Sequence, residues 1–205
     1  MSHEADGYSS DLGHEQESVG RLDALRTQSA PPPARPDDKD WTWVLHRPCP
    51  DCGADVRRLS IKDVARANRA NAERWRDVLS RDDEWLRTRP EPDIWSPLEY
   101  ACHVRDVYRL FAERLTLMVT QDDPLFANWN PNETAEAERY DLAEPRRVCV
   151  ELTEAAEVLA TAFERLPPED ALRNGRRSDG AAFTIETFAR YGIHDPMHHL
   201  WDVTG

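Results

Sequence analysis

Between Ser96 and Thr120 the chain places apolar side chains every three to four residues: Tyr100, Val104, Val107, Leu110, Phe111, Leu115 and Met118. That period marks one face of an α-helix and does not suit a strand, whose faces alternate at every second residue. Ser96 as N-cap, Pro97 at the first helical position and Glu99 at the third open the helix. Asp122-Asp123-Pro124 close it near Thr120. Three more segments share the period. One runs from Ile61 to Leu79, capped by Ser60 with Asp63 in its first turn, on the stripe Val64, Asn68, Asn71, Ala72, Trp75, Val78 and Leu79. Another starts at Pro145, carries Val148, Leu152, Ala155, Leu159, Ala162, Phe163 and Leu166, and stops at Pro167-Pro168. The last runs from about Thr184 to Val203 and turns Thr187, Phe188, Tyr191, His194, His198 and Trp201 inward. No strand pattern competes, so the spacing predicts an all-α four-helix bundle with long connections.

The connections carry their own signals. Gln121 to Ala143 is long for a compact domain, and a loop of this length is usually functional or holds a short element. It contains Asn128-Trp129-Asn130-Pro131-Asn132. Glu169 to Phe183 holds Asn174-Gly175 and Asp179-Gly180, turn pairs compatible with a small hairpin. Residues 1–40 end in Pro31-Pro32-Pro33 and offer few large apolar groups, so they read as a disordered tail. Residues 41–205 form the domain. It opens on Trp41, Trp43, Val44 and Leu45, a short apolar run expected to lie as an extended lid on the bundle.

Charge narrows the partners. The 205 residues include 39 acidic against 26 basic ones, a formal charge of -13. Such a surface repels nucleic-acid phosphates and anionic membranes. No apolar run is long enough to span a bilayer and no signal peptide is visible, which predicts a cytoplasmic protein with neither nucleic-acid nor membrane partner. Four cysteines, Cys49, Cys52, Cys102 and Cys149, are too few for a secreted disulfide scaffold. Of the basic residues only Lys39 and Lys62 are lysine, which points to a GC-rich genome.

The histidines carry the chemistry. His194 and His198, four residues apart, stand one above the other on a helix and can reach one ion. His103 lies on the edge of the second helix's stripe, between Tyr100 and Val107, where a buried imidazole needs a partner. Three neutral imidazoles from two facing helices can hold a divalent metal and leave positions open for catalysis. Two exposed, hydrogen-bonded side chains are the plain alternative for the pair. His199 stands about 100° round from His198 and is expected to face a neighbouring loop. Pro196 breaks the helical bond to Gly192 between the two histidines. Asp195 and Asp202 are near enough to orient ring N–H groups, or are simply solvated.

The segments "WSPLEYACHVRDV" and "HDPMHHLWDV" together resemble the DinB/YfiT-like superfamily of metalloenzymes over about residues 41–205. The resemblance implies an up-down-down-up four-helix bundle with a three-histidine metal site on His103, His194 and His198. Zinc is the expected metal, with nickel or iron as alternatives. It also implies relatives that are S-transferases or isomerases using mycothiol, bacillithiol or glutathione. The implied function is a metal-dependent transferase, or isomerase, for a low-molecular-weight thiol acting on an electrophilic substrate. The GC-rich composition favours mycothiol. The alternative is a bundle that binds metal or a small ligand without turnover. A homodimer is compatible with either reading.

Some residues fall outside that scheme. Cys49-Pro50-Asp51-Cys52-Gly53 resembles half of a zinc knuckle and lacks a second cysteine pair. It is open to three readings: a second metal site completed by a histidine or carboxylate from the fold, a redox pair, or a tight turn with buried thiols. The two cysteines are expected close together on a turn outside the bundle core, dispensable for the histidine-site metal. Cys102 and Cys149 sit singly in helices. Arg176 and Arg177 can hold a substrate carboxylate or lie in a solvated turn. Trp129 and Asn130 can line a pocket mouth.

Overall fold

The computed structural model describes residues 30–36 and 39–205. The chain divides into two units, Met1–Pro31 and Pro32–Gly205, and the second carries every element described. The expectation of a disordered tail falls mostly on residues outside the described ones.

Six helices and one hairpin follow in order: α1 (Ile61–Leu79), α2 (Asp83–Arg87), α3 (Pro97–Thr120), α4 (Pro131–Ala137), α5 (Pro145–Glu164), β1 (Asn174–Arg176), β2 (Ala182–Thr184) and α6 (Ile185–Thr204). The four long helices start where their caps predict. Ser60, Ser96 and Thr184 each accept a bond from the third helical N–H, and Asp63, Glu99 and Thr187 reach back to the cap. These reciprocal bonds satisfy amides that a helix start otherwise leaves open. α2 is an addition: Asp82 caps Trp85, and Leu86 is buried beside α3.

Around the bundle the long helices run α1, α5, α3, α6, with α1 and α3 on the diagonal. Side-chain contacts fix their directions. Arg190, early in α6, donates to the Leu59 carbonyl at the start of α1, so these two run parallel. Arg105, early in α3, meets Glu151, early in α5, so those two also run parallel. His103, early in α3, meets Asp195, late in α6. This is the expected up-down-down-up order. Its core is one cluster around Trp75, Leu98, Leu152, Phe188 and Ile193. α3 packs tightly on α6 at Gly192, where an added Cβ would lie 2.3 Å from the Phe111 ring.

The parallel α3–α5 step needs a long return, and residues 121–144 supply it. Phe126 N–H donates to the Arg176 carbonyl at 2.8 Å, tying this connection to the hairpin, in which Gly175 faces Phe183. Asn130 then caps α4, and a 3-10 turn over Tyr140–Leu142 follows.

Two sequence expectations change. Trp41–Leu45 is a 3-10 helix rather than an extended lid, because the Asp40 carboxylate accepts from Thr42 N–H at 3.0 Å and turns the chain. Residues 32–36, assigned to the tail, lie on the bundle. Arg89 donates to the Pro32 carbonyl at 2.7 Å, Asn132 to the Ala34 carbonyl at 3.0 Å, and Arg35 pairs with Asp93. A proline-rich stretch leaves its carbonyls open as acceptors and loses little entropy on docking. Among the described residues no helix is long and apolar enough to cross a membrane.

Candidate metal centres

Adjacent residues on α6 point about 100° apart. His194 and His198 therefore form one row, and Asp195 and His199 form the next. The structure gives the rows different partners. Cys49, Cys52, His194 and His198 gather in one cluster, and His103, Asp195 and His199 in another, with ligand-capable atoms within 4.8 Å of one another in each. The three histidines expected in one coordination sphere are thus shared between two groups. His103 meets Asp195 and His199 because α3 packs on that row, while the first row faces the segment before α1. His199, expected to face a loop, belongs to the His103 group.

The first cluster is built by a strap. The 3-10 helix lays Trp41 over both rings of the first row, with centroids 5.2 Å from His194 and 4.9 Å from His198. The chain then turns tightly. Gly53 N–H donates to the Cys49 carbonyl at 3.0 Å, Cys49 N–H to the Ala54 carbonyl at 2.9 Å, and Gly53 takes a φ of 72°. That left-handed angle suits glycine. The turn aims both thiols at α6: Cys49 Sγ lies 3.6 Å from His198 Nδ1, and Cys52 Sγ 3.8 Å from His194 Nε2. Burial and the neighbouring His198 pull the His194 pKa down to about 4, and burial lowers that of His198. Burial pushes the Cys52 thiol up to about 11. The imidazoles are therefore neutral, the form in which they ligate.

The second cluster is walled by aromatic rings. Trp129, brought in by the long connection, stacks on His103 at 5.5 Å, and Trp95 lies 5.1 Å away on another side. Tyr100 packs on His199 at 5.0 Å. His103 is 3% exposed. Its Nε2 stands 3.3 Å from Asp195 Oδ1, off the line that a hydrogen bond requires. Both His103 nitrogens and Asp195 Oδ1 are consequently buried without a hydrogen-bond partner among the described residues. Burial works to raise the Asp195 pKa, but His199 and His103 outweigh it and hold the carboxylate ionised. His199 presents Nε2 to Asp195 Oδ1 at 3.7 Å, while its Nδ1 lies 2.8 Å from Asp202 Oδ2. The other Asp202 oxygen lies 3.8 Å from His198 Nε2. Asp202 is thus hydrogen-bonded to His199 and lies beside His198.

The remaining candidates lie elsewhere. Arg176 pairs with Asp123 at 3.0 Å, and Arg177 with Asp179 and the Tyr191 hydroxyl, so neither points into a cluster. Asn130 serves as a helix cap. Cys102 is fully buried, with its thiol pushed up to about 12, and behaves as a small apolar residue. The proline defect is braced from α1: Asn71 donates to the Pro196 carbonyl at 3.0 Å and accepts from the Tyr108 hydroxyl at 2.9 Å.

A cation would satisfy the buried, unpartnered Nε2 of His103 and Oδ1 of Asp195 together, each side chain giving it one ligand atom. Two imidazoles and one carboxylate suit a first-row divalent metal and leave positions open. The solved structure of YfiT from Bacillus subtilis, described as a probable metal-dependent hydrolase with an unusual four-helix bundle topology, is similar in fold. Its TM-score is 0.57 at 16% identity, covering 84% of this chain and 90% of that one. No curated protein matches the chain. The DinB superfamily model matches residues 65–203, which take in nearly all of the four long helices and leave Cys49 and Cys52 outside. By that match the chain belongs to the DinB superfamily.

Proposed function

We propose that the chain is a metal-dependent enzyme whose working site is His103, Asp195 and His199. The observation that carries this is His103, an imidazole held under two tryptophans with neither nitrogen satisfied. Such an arrangement costs about 1–3 kcal/mol and is tolerated where function requires it. A divalent cation bound there supplies Lewis acidity and lowers the pKa of an incoming nucleophile.

The protein's own residues set the stage for it. Asp202 accepts from His199 Nδ1, which leaves Nε2 directed at the shared centre. Trp95, Trp129 and Tyr100 keep bulk water off the imidazoles and offer apolar walls to a substrate. Access lies along Asp195, whose side chain is 38% exposed although its Oδ1 is covered.

The nucleophile we assign is a low-molecular-weight thiol, with mycothiol favoured by composition, and the reaction is its transfer to an electrophile. The resemblance to S-transferases supports this. Asp195 favours a second reading, hydrolysis, because a carboxylate ligand lowers the net charge of the site and weakens its pull on a thiolate relative to water. Purified protein loaded with zinc, nickel or iron(II) and given mycothiol and a panel of alkylating electrophiles is expected to consume thiol. His103→Ala should lower that rate at least a hundredfold. Ester hydrolysis without thiol consumption would select the second reading. Equal rates in loaded, metal-free and His103→Ala protein would refute both and favour a non-catalytic binding bundle.

A further inference from the structure

We infer that Cys49, Cys52, His194 and His198 form a second, structural zinc site, closed by four protein ligands, that staples the segment before α1 to the helix carrying the working site. Three independent features converge on it. The ligand set comes from two segments far apart in sequence, and the four donor atoms lie within 4.8 Å of one another. The two measured sulfur–nitrogen separations, 3.6 and 3.8 Å, approach the edge of a tetrahedron around one ion. Zn–S near 2.3 Å and Zn–N near 2.0–2.1 Å predict an edge of about 3.5 Å. The turn is also pre-formed for the purpose: backbone bonds from Cys49 and Gly53 and the left-handed Gly53 hold both thiols on one side.

The orienting partner is present too. Asp202 Oδ1 faces His198 Nε2 while Nδ1 of that ring faces Cys49. At 3.8 Å the Asp202 contact is electrostatic, and it would favour the ring orientation that turns Nδ1 to the thiolate. Trp41 covers both imidazoles and Cys49 is 2% exposed, while Cys52 is half-buried. Binding is a plain exchange: zinc(II) enters, two thiols become thiolates, and two protons leave, with no change of oxidation state. The alternative for the pair, a Cys49–Cys52 disulfide, would leave His194 and His198 buried with no ion to hold.

The consequence reaches the neighbouring site. His194 and Asp195 are successive residues, as are His198 and His199. Fixing one row on zinc fixes the rotation of α6, and with it the other row.

The test uses the full chain, stripped of resident metal by a chelator and then loaded with cobalt(II) as the probe. The wild-type protein should show the intense thiolate-to-cobalt charge-transfer absorption of a sulfur-ligated ion. Cys49→Ser/Cys52→Ser should lose that band, and His103→Ala should keep it while losing activity. Should the double variant fail to fold, the wild-type protein still decides. Titration with a mercurial thiol reagent should release one zinc per chain, a result that needs no variant. Absence of the charge-transfer band in folded wild-type protein, or a Cys49–Cys52 disulfide in protein alkylated at once on lysis, would overturn the inference. Activity retained in His103→Ala, with the band intact, would count against the working site alone.

Discussion

His103 and Asp202 show how single side chains divide the labour. His103 is buried with neither nitrogen hydrogen-bonded, yet it stands 3.3 Å from Asp195 and helps to hold that carboxylate ionised. His103→Leu should lower the stability of chelated protein by about 1–3 kcal/mol, since it strips the buried carboxylate of one of its two imidazoles. Urea unfolding in the presence of chelator measures this, and a gain of stability would show that His199 alone compensates Asp195. Asp202 stands between His198 and His199. Asp202→Ala should weaken metal affinity at both clusters by about 10–100-fold, read by competition with a chromophoric chelator. Weakening of only one would mean that the carboxylate serves a single ring. Which row meets His103 was not legible from spacing. Asp195 and His199 are four apart, as are His194 and His198, so both rows satisfy the same helical rule. Only packing decides which row meets α3. The unmatched cysteine pair was the available signal, because an orphan half-knuckle demands ligands from elsewhere in the chain.

The four long helices were legible because their caps and stripes agree. Ser60, Ser96 and Thr184 mark starts that the structure keeps, and Pro145 opens α5 as expected. The short elements were not. α2 has five residues, too few for a stripe, and Trp41–Leu45 reads as a strand-like apolar run until Asp40 turns it. Two contacts between elements give sharp predictions. Gly192→Ala drives a methyl group into Phe111 and should cost about 1–3 kcal/mol, seen as a lower melting temperature; an unchanged value would mean that α3 and α6 can part there at little cost. Arg89 holds the buried Glu99 carboxylate with two bonds, at 2.5 and 2.8 Å, and donates to Pro32 and Pro92. Arg89→Ala leaves that charge unpaired and should cost about 3–5 kcal/mol. A surface-pair value below about 1 kcal/mol would show that water reaches Glu99.

For the molecule as a whole, the bundle is a frame that lets one helix present two rows of ligands. The row facing the strap gathers sulfur and nitrogen into a closed shell. The row facing α3 gathers nitrogen and oxygen under tryptophan walls, with a side open along Asp195. Anomalous scattering at the zinc edge from crystals of zinc-loaded protein tests this division most directly. The account predicts two peaks per chain, one among Cys49, Cys52, His194 and His198 and one among His103, Asp195 and His199. A single peak shared by His103, His194 and His198 would contradict it.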